Sequence, residues 1–436
     1  MRTRIAKIVI ASLCCMAMLG PAIRQGMCGQ TNTVKDEAKK ESTSDIYEQV
    51  ELLADALSTI RSDFVDQVRS KELVYGALRG MLAGLDDYSQ FLDPDEYDDI
   101  KAETKGEFGG VGIEISMRDR ILTVIAPIAG SPASRQGVQA GDRIVKIDGE
   151  ITKEVSLSQA VKKLRGKPGT DVGLTLWREK DESLHEVAIT RAIIKIDSIK
   201  NAQIVEDNIG YIKLVEFQEN TFRDLGDALK KLKADGMNAL ILDLRDNPGG
   251  LLDSSVDVSG LFLEKGATIV STKARIKAQN AVFPSETQGP YTDFPLVVLV
   301  SGGSASASEI VAGAIQDNRR GIVVGVPTYG KGSVQTIMPM RDGSALRLTT
   351  ASYFTPNGRS IRKQGILPDV VVEWETPKEK KEKRSDIFKE LEQKAEKKEK
   401  EPDEDTIDPE RDNQLRQAID ILKGIRIFRT FEESKA

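Results

Sequence analysis

Histidine is almost missing from this chain: one residue, His185, in 436. Cysteine occurs three times, as Cys14, Cys15 and Cys28, and never after residue 28. These shortages exclude much chemistry. The body of the chain has no thiol for nucleophilic catalysis, no disulfide and no thiolate metal site. With a single histidine and no late cysteine, no metal site is readable, and no cofactor is expected. No glycine loop has the spacing of a nucleotide-binding motif. A basic excess is lacking too. Lys and Arg number 62 against 68 Asp and Glu, for a net charge of −6, so there is no nucleic-acid footprint. A serine nucleophile in this chain needs a base other than histidine, because His185 sits far away in sequence, in Leu184-His185-Glu186-Val187. Lysine is the base that chemistry then allows.

At 436 residues the chain has room for two or three domains of roughly 150 residues each. Residues 1–29 read as an export signal. Arg2, Arg4 and Lys7 precede an apolar core from Ile8 to Leu19, which is short for a membrane span. An uncleaved membrane anchor is the alternative. Either way the body is expected outside the cytoplasm, periplasmic or extracellular, and a body free of cysteine fits an oxidising compartment. Residues 30–44 are a polar linker. Residues 45–103 form a helical element, with Val50, Leu53, Ala54, Leu57 and Ile60 on one stripe that should pack on something else.

Residues 104–193 change to short alternating strands: 111–115, 121–125, 143–147 and, closing the series, 172–178. One helix interrupts them, opened by a Ser156-Leu157-Ser158-Gln159 capping box and ended at Gly166. Residues 194–374 alternate strands and helices, which argues a layered α/β core. Strands are expected at 210–215, 239–244, 296–300 and 322–326, and helices at 221–234 and 307–317. The apolar run Pro295 to Val300 reads as a strand buried on both faces. Residues 375–436 hold a mixed Lys/Glu linker and a short amphipathic helix, with Leu415, Ala418, Ile419 and Leu422 docking back.

Three segments carry chemistry. Ser306 lies where the strand at 296–300 turns into the helix at 307–317. A serine there is either an ordinary N-cap or a nucleophile whose oxyanion the helix N–H groups can stabilise. Ser304 and Ser308 are near neighbours, so local pattern does not choose among the three. Lys331 sits between Gly330 and Gly332, and is either a surface lysine or a base. If the chain runs extended after it, Ser333 and Gln335 share its face. A base must be neutral, and at a reference pKa near 10.4 only about one lysine in 2,500 is neutral at pH 7. Burial lowers that pKa, and Gln335 can orient the amine without a countercharge. The third segment, Asp243-Leu244-Arg245-Asp246-Asn247-Pro248-Gly249-Gly250, ends a strand in a glycine pair that can expose backbone N–H groups.

Together the DLRDNPGG, SASASEI and TYGKGSVQ segments, in this order, are similar to those of the carboxyl-terminal processing, or tail-specific, serine proteases. Ser306 and Lys331 lie 25 residues apart in this match, and Lys331 and Gln335 four apart. The resemblance runs from the LAGLDDYSQFLDPDEY segment to about Trp374. It implies Ser306 as nucleophile, Lys331 as base and Gln335 as its support. Oxyanion donors would lie on the Gly249-Gly250 turn and at the Ala307 N–H. It also implies an α/β protease core of crotonase-like type, with an inserted β-rich PDZ-like domain and helical N- and C-terminal elements. EFGGVGIEI followed by SPASRQGVQAGDRIVKIDGE resembles a PDZ domain, which binds a free chain end by strand addition. Gly110, Val111, Gly112 and Ile113 would then offer N–H groups to a terminal carboxylate. Ile113 and Ile115 would pair with the peptide, and Val161 and Leu164 would wall the groove. The expected partners are protein or peptide substrates with exposed C-termini. A second copy of the chain or an activating partner is compatible with this reading. Its rivals are a silent PDZ scaffold and an acyl-CoA enzyme on the same core.

Overall fold

A computed structural model of the protein describes residues 43–118, 121–180, 182–375, 407, 409 and 411–433. The segment read as an export signal or anchor, most of the polar linker and most of the Lys/Glu linker lie outside the described residues. Two units divide the chain, 1–70 and 71–436. In the first, the helix Thr43–Asp63 carries the expected stripe, and Val50, Leu53 and Ile60 on it are exposed. Among the described residues, no helix is long and apolar enough to cross a membrane.

The second unit is built on a six-stranded sheet. Its order is Ile199–Ile204, Ile209–Leu214, Ala239–Asp243, Leu296–Val300, Ile322–Gly325 and Val370–Val371. The first pair is antiparallel and the others are parallel. Period-two alternation sends Leu296, Val298 and Val300 to one face and Val297 and Leu299 to the other. All five are buried, as the unbroken apolar run requires. On the first face pack Thr221–Ala234 through Leu225, Leu229 and Leu232, Leu252–Gly260 through Val258, and Ala307–Asp317 through Ile310, Val311 and Ala314. On the second face lie Leu415, Ala418, Ile419 and Leu422 of the C-terminal helix, which is longer than expected, Asn413–Glu433.

A second, antiparallel sheet was not foreseen. Its long strand Ala345–Phe354 pairs with Ser333–Pro339 along one edge, and with Gln90–Leu92 and Thr268–Ala274 along the other; Ala281–Pro284 lies outside Thr268–Ala274. Most residues of Ala345–Phe354 are half-buried, so its sequence shows no inside–outside alternation. Gln90–Leu92 shows that the N-terminal element is not wholly helical.

The β-rich module has the strand order Ile113–Arg118, Ile121–Pro127, Arg143–Ile147, Asp171–Arg178, Ser183–Thr190. The helix Leu157–Leu164 has the capping box at Ser156 and Gln159. Two details differ from the sequence reading. The first strand begins at Ile113 rather than Val111. Gly112 takes φ +74°, and its carbonyl accepts from the Ile128 N–H and the Ser131 hydroxyl, which breaks the ladder. The series also continues past Arg178. In Ser183–Thr190, Ser183 and His185 alternate with the outward Leu184, which scrambles the pattern. There the His185 ring sits 2.9 Å from the Ser183 hydroxyl, a structural contact within one strand.

Candidate active site

The turn between Leu296–Val300 and Ala307–Asp317 separates the three serines. The Ser304 hydroxyl donates to the Leu244 carbonyl at 2.7 Å, and the Ser308 hydroxyl to the Asn247 carbonyl at 2.9 Å. Both are fully buried and fasten the turn to the DLRDNPGG segment. Ser306 alone is partly exposed. Its backbone is at φ +55°, ψ −112°, a region costing a non-glycine residue about 1–3 kcal/mol. This conformation sets its side chain at the helix start.

Gly249 and Gly250 face this turn differently. A Cβ on Gly249 would lie 2.7 Å from the Ser306 Cβ and 2.9 Å from the Ala307 nitrogen, so only glycine permits this approach. The Gly249 N–H is engaged, donating to Asn247 Oδ1 at 2.9 Å. Among the described residues, no acceptor takes the N–H of Gly250 or that of Ala307, the first residue of the helix.

Lys331 is half-buried in the loop after Ile322–Gly325. A Cβ on Gly332 would stand 2.2 Å from the Arg362 nitrogen, and one on Gly330 2.9 Å from the Lys363 carbonyl carbon, so both flanking glycines are needed. The Lys331 amine lies over the Tyr88 ring, 5.2 Å from its centroid. Burial pushes its pKa below the ordinary lysine value, the cationic Arg347 adds to that, and Glu309 opposes it. Gln335 lies on the strand Ser333–Pro339, and its amide donates to the Ser333 hydroxyl at 2.8 Å. The two share a face as alternation expects. Among the described residues, no hydrogen bond joins the Lys331 amine to either Ser306 or Gln335.

Two residues at the site were missed in the sequence. Glu309 is completely buried. Its carboxylate accepts from the Ser306 N–H at 2.8 Å, the Lys331 N–H at 2.9 Å, the Gly330 N–H at 2.7 Å and the Thr328 hydroxyl at 2.6 Å. Burial pushes its pKa up, and these donors pull against that. The Ser306-x-x-Glu309 capping pattern was the available signal. Tyr88 comes from a distant segment, and no local pattern marks it.

In the β-rich module Ile113–Arg118 is an edge strand, and the helix Leu157–Leu164 packs beside it. Val111 and Leu164 are buried in the module's core, with Ile113 and Ile115 half-buried against it and Val161 half-buried. Gly110 belongs to a separate ladder, opposite Ala192. A Cβ on Gly112 would lie 2.3 Å from that of Ser131.

A strained serine at a helix start, with Gly249 against it and a lysine in the adjoining loop whose pKa burial lowers, is the kind of arrangement a nucleophilic hydrolase needs. Comparison with known proteins is consistent with that class. Residues 208–372 match peptidase family S41, residues 123–178 the PDZ domain, and residues 16–96 the activating protease CtpB N-terminal domain. The carboxy-terminal-processing protease of Bartonella bacilliformis is 45% identical over 341 residues, 77% of each chain. The carboxyl-terminal-processing protease of Synechocystis sp. is 40% identical, over 72% of this chain and 74% of its own. The carboxy-terminal processing protease CtpA of Bacillus subtilis is 33% identical, over 84% and 75%. Among solved structures, a photosystem II D1 C-terminal processing protease is 30% identical over 74% of this chain and 92% of its own, with a TM-score of 0.47. The chain belongs to the carboxyl-terminal processing proteases, serine-type peptidases of family S41 with a PDZ domain.

Proposed function

We propose that this chain is an exported endopeptidase that uses a Ser306–Lys331 dyad supported by Gln335, on a core of crotonase-like type. The observation that carries this reading is the contrast among the three serines: Ser304 and Ser308 are buried and engaged, while Ser306 is partly exposed at a strained helix start. Ser306 Oγ attacks the amide carbonyl. The neutral Lys331 amine takes the hydroxyl proton and returns it to the leaving amine. The tetrahedral oxyanion is received by the N–H groups of Ala307 and Gly250, since the Gly249 N–H is engaged with Asn247. Water then hydrolyses the acyl-enzyme. The Lys331 amine rests over the Tyr88 ring without a hydrogen bond to Ser306 among the described residues, so in this reading a side-chain movement brings the two into hydrogen-bond contact.

In this reading the PDZ domain, within residues 104–193, delivers the substrate. The edge strand Ile113–Arg118 takes an extended peptide, and the Val111-Gly112-Ile113 turn receives its terminal carboxylate. Substrates are proteins or peptides with exposed C-termini, and the reading leaves room for a second copy of the chain or an activating partner. The N-terminal segment directs the body to the periplasm or the extracellular space, as a cleaved signal or as an anchor. The test is mass spectrometry of peptides released by the wild type and by Ser306→Ala. Peptides that appear only with the wild type are expected, and identical peptide sets overturn the reading. Fractionation of cells expressing the full chain tests export, and a cytoplasmic body would refute it.

A further inference from the structure

We infer that Glu309 is the positioning residue that holds the Ser306 turn and the Lys331 loop in one register and places a negative charge beside the lysine's backbone. The inference rests on the Ser–Lys reading above. The two loops leave different strands of the sheet, Leu296–Val300 and Ile322–Gly325, and share this single carboxylate. One oxygen, Oε2, accepts from both the Ser306 and Lys331 backbones; the other accepts from Gly330 and Thr328. Three of the four donors are N–H groups, which can only donate, so the ionised form is the one that fits. Hydrogen bonds to a charged acceptor are about twice as strong as neutral ones. Here they hold a serine backbone in a conformation that it would otherwise leave.

The same carboxylate acts on the lysine through space. The groups facing the Lys331 amine are Arg347 from the second sheet, Glu309 from the helix, and the Tyr88 ring, itself near Tyr329 and Arg362. Arg347 and burial favour the neutral amine. Glu309 is the one countercharge among these groups. Removing its charge should therefore make the lysine less basic.

The test is Glu309→Gln in the full chain, with folding followed by circular dichroism and melting. The expected result is a kcat at least about tenfold lower, a KM within about twofold, and the alkaline-rising limb of kcat/KM moved to lower pH. A purely structural role would lower the active fraction without moving the limb. An unmoved limb in folded Glu309→Gln overturns the inference. If Glu309→Gln does not fold, Glu309→Asp carries the test. There the charge stays but the arm is one methylene shorter, so kcat should fall about tenfold with the limb close to its wild-type position. Wild-type kcat in Glu309→Asp overturns the inference. Lys331→Ala, assayed in parallel, separates the two levels: retained activity there refutes the Ser–Lys reading itself, whatever Glu309 does.

Discussion

At the scale of single residues, the turns that carry Ser306 and Lys331 were readable in the sequence because the small residues and glycines around them are required by geometry. Gly249, Gly330 and Gly332 each sit where a Cβ would strike backbone or Ser306 itself. The choice among serines could not be made locally, because Ser304 and Ser308 differ from Ser306 only in what the DLRDNPGG segment offers them across the sheet. That difference gives a prediction. Ser306→Ala should abolish turnover with little change in melting temperature. Ser304→Ala and Ser308→Ala should keep measurable activity but lose stability, by about 0.5–1.5 kcal/mol each, because each removes a buried hydrogen bond that fastens the turn to the DLRDNPGG segment. Activity assays and denaturant melts of the three variants check this, and full activity in Ser306→Ala would sink the nucleophile assignment. The sequence places Gln335 to orient the amine, yet in the structure its amide meets Ser333. A carboxylate in its place would favour the ammonium if the amine approaches during catalysis, raising the lysine pKa. Gln335→Glu should then move the limb of kcat/KM to higher pH, opposite to Glu309→Gln. Activity at neutral pH should fall about tenfold or more and recover in part at high pH. An unshifted limb in the folded variant means that Gln335 never meets the base.

At the scale of elements, the helices and the buried strands were readable because their burial is one-sided or complete. Thr221–Ala234 and Ala307–Asp317 have the limits that the periodicity gave. The second sheet escaped because half-burial on both faces erases the period. In the PDZ domain the critical element is the turn before the edge strand. Gly112 is at φ +74° with no space for a Cβ, so Gly112→Ala must move the turn. Carboxylate capture there makes two linked predictions for fluorescence polarisation with a labelled peptide. Amidating its C-terminus should weaken binding to the wild type by about tenfold or more, the loss of a charge-assisted contact. Gly112→Ala should weaken binding of the free acid and reduce the penalty for the amide. Equal binding of acid and amide by the wild type would refute capture at this turn.

At the scale of the whole molecule, the chain returns on itself. The docking of Leu415, Ala418, Ile419 and Leu422 was legible as an amphipathic stripe, but its anchor was not, because it joins residues far apart in sequence. Arg245 lies just past the strand Ala239–Asp243, in the segment that leads to Gly249. Its guanidinium donates to Asp243 at 2.6 Å and to Asp412, at the start of the C-terminal helix, at 2.7 Å. Burial works against the Asp243 carboxylate, but the adjacent Arg245 prevails and holds its pKa below the ordinary aspartate value. A carboxyl depressed in the folded state stabilises the fold above its unfolded pKa, and that contribution is lost as pH falls through the folded value. Stability should therefore drop on acidification below the ordinary aspartate range, near pH 4. Asp412 has a second task, since its Oδ1 also accepts the Leu415 N–H at 2.8 Å and so caps the helix. Asn keeps a cap where Ala does not. Asp412→Asn should cost about 1–2 kcal/mol at neutral pH by weakening the tie to Arg245, and Asp412→Ala about 1 kcal/mol more. Both should lower kcat by more than the unfolded fraction accounts for, since Arg245 precedes the Gly249–Gly250 turn, the proposed oxyanion site, by only a few residues. Urea melts at neutral pH beside kcat at saturating substrate check this. Unchanged kcat in a folded Asp412→Ala enzyme would mean that the C-terminal helix supports the sheet without reaching the Gly249–Gly250 turn.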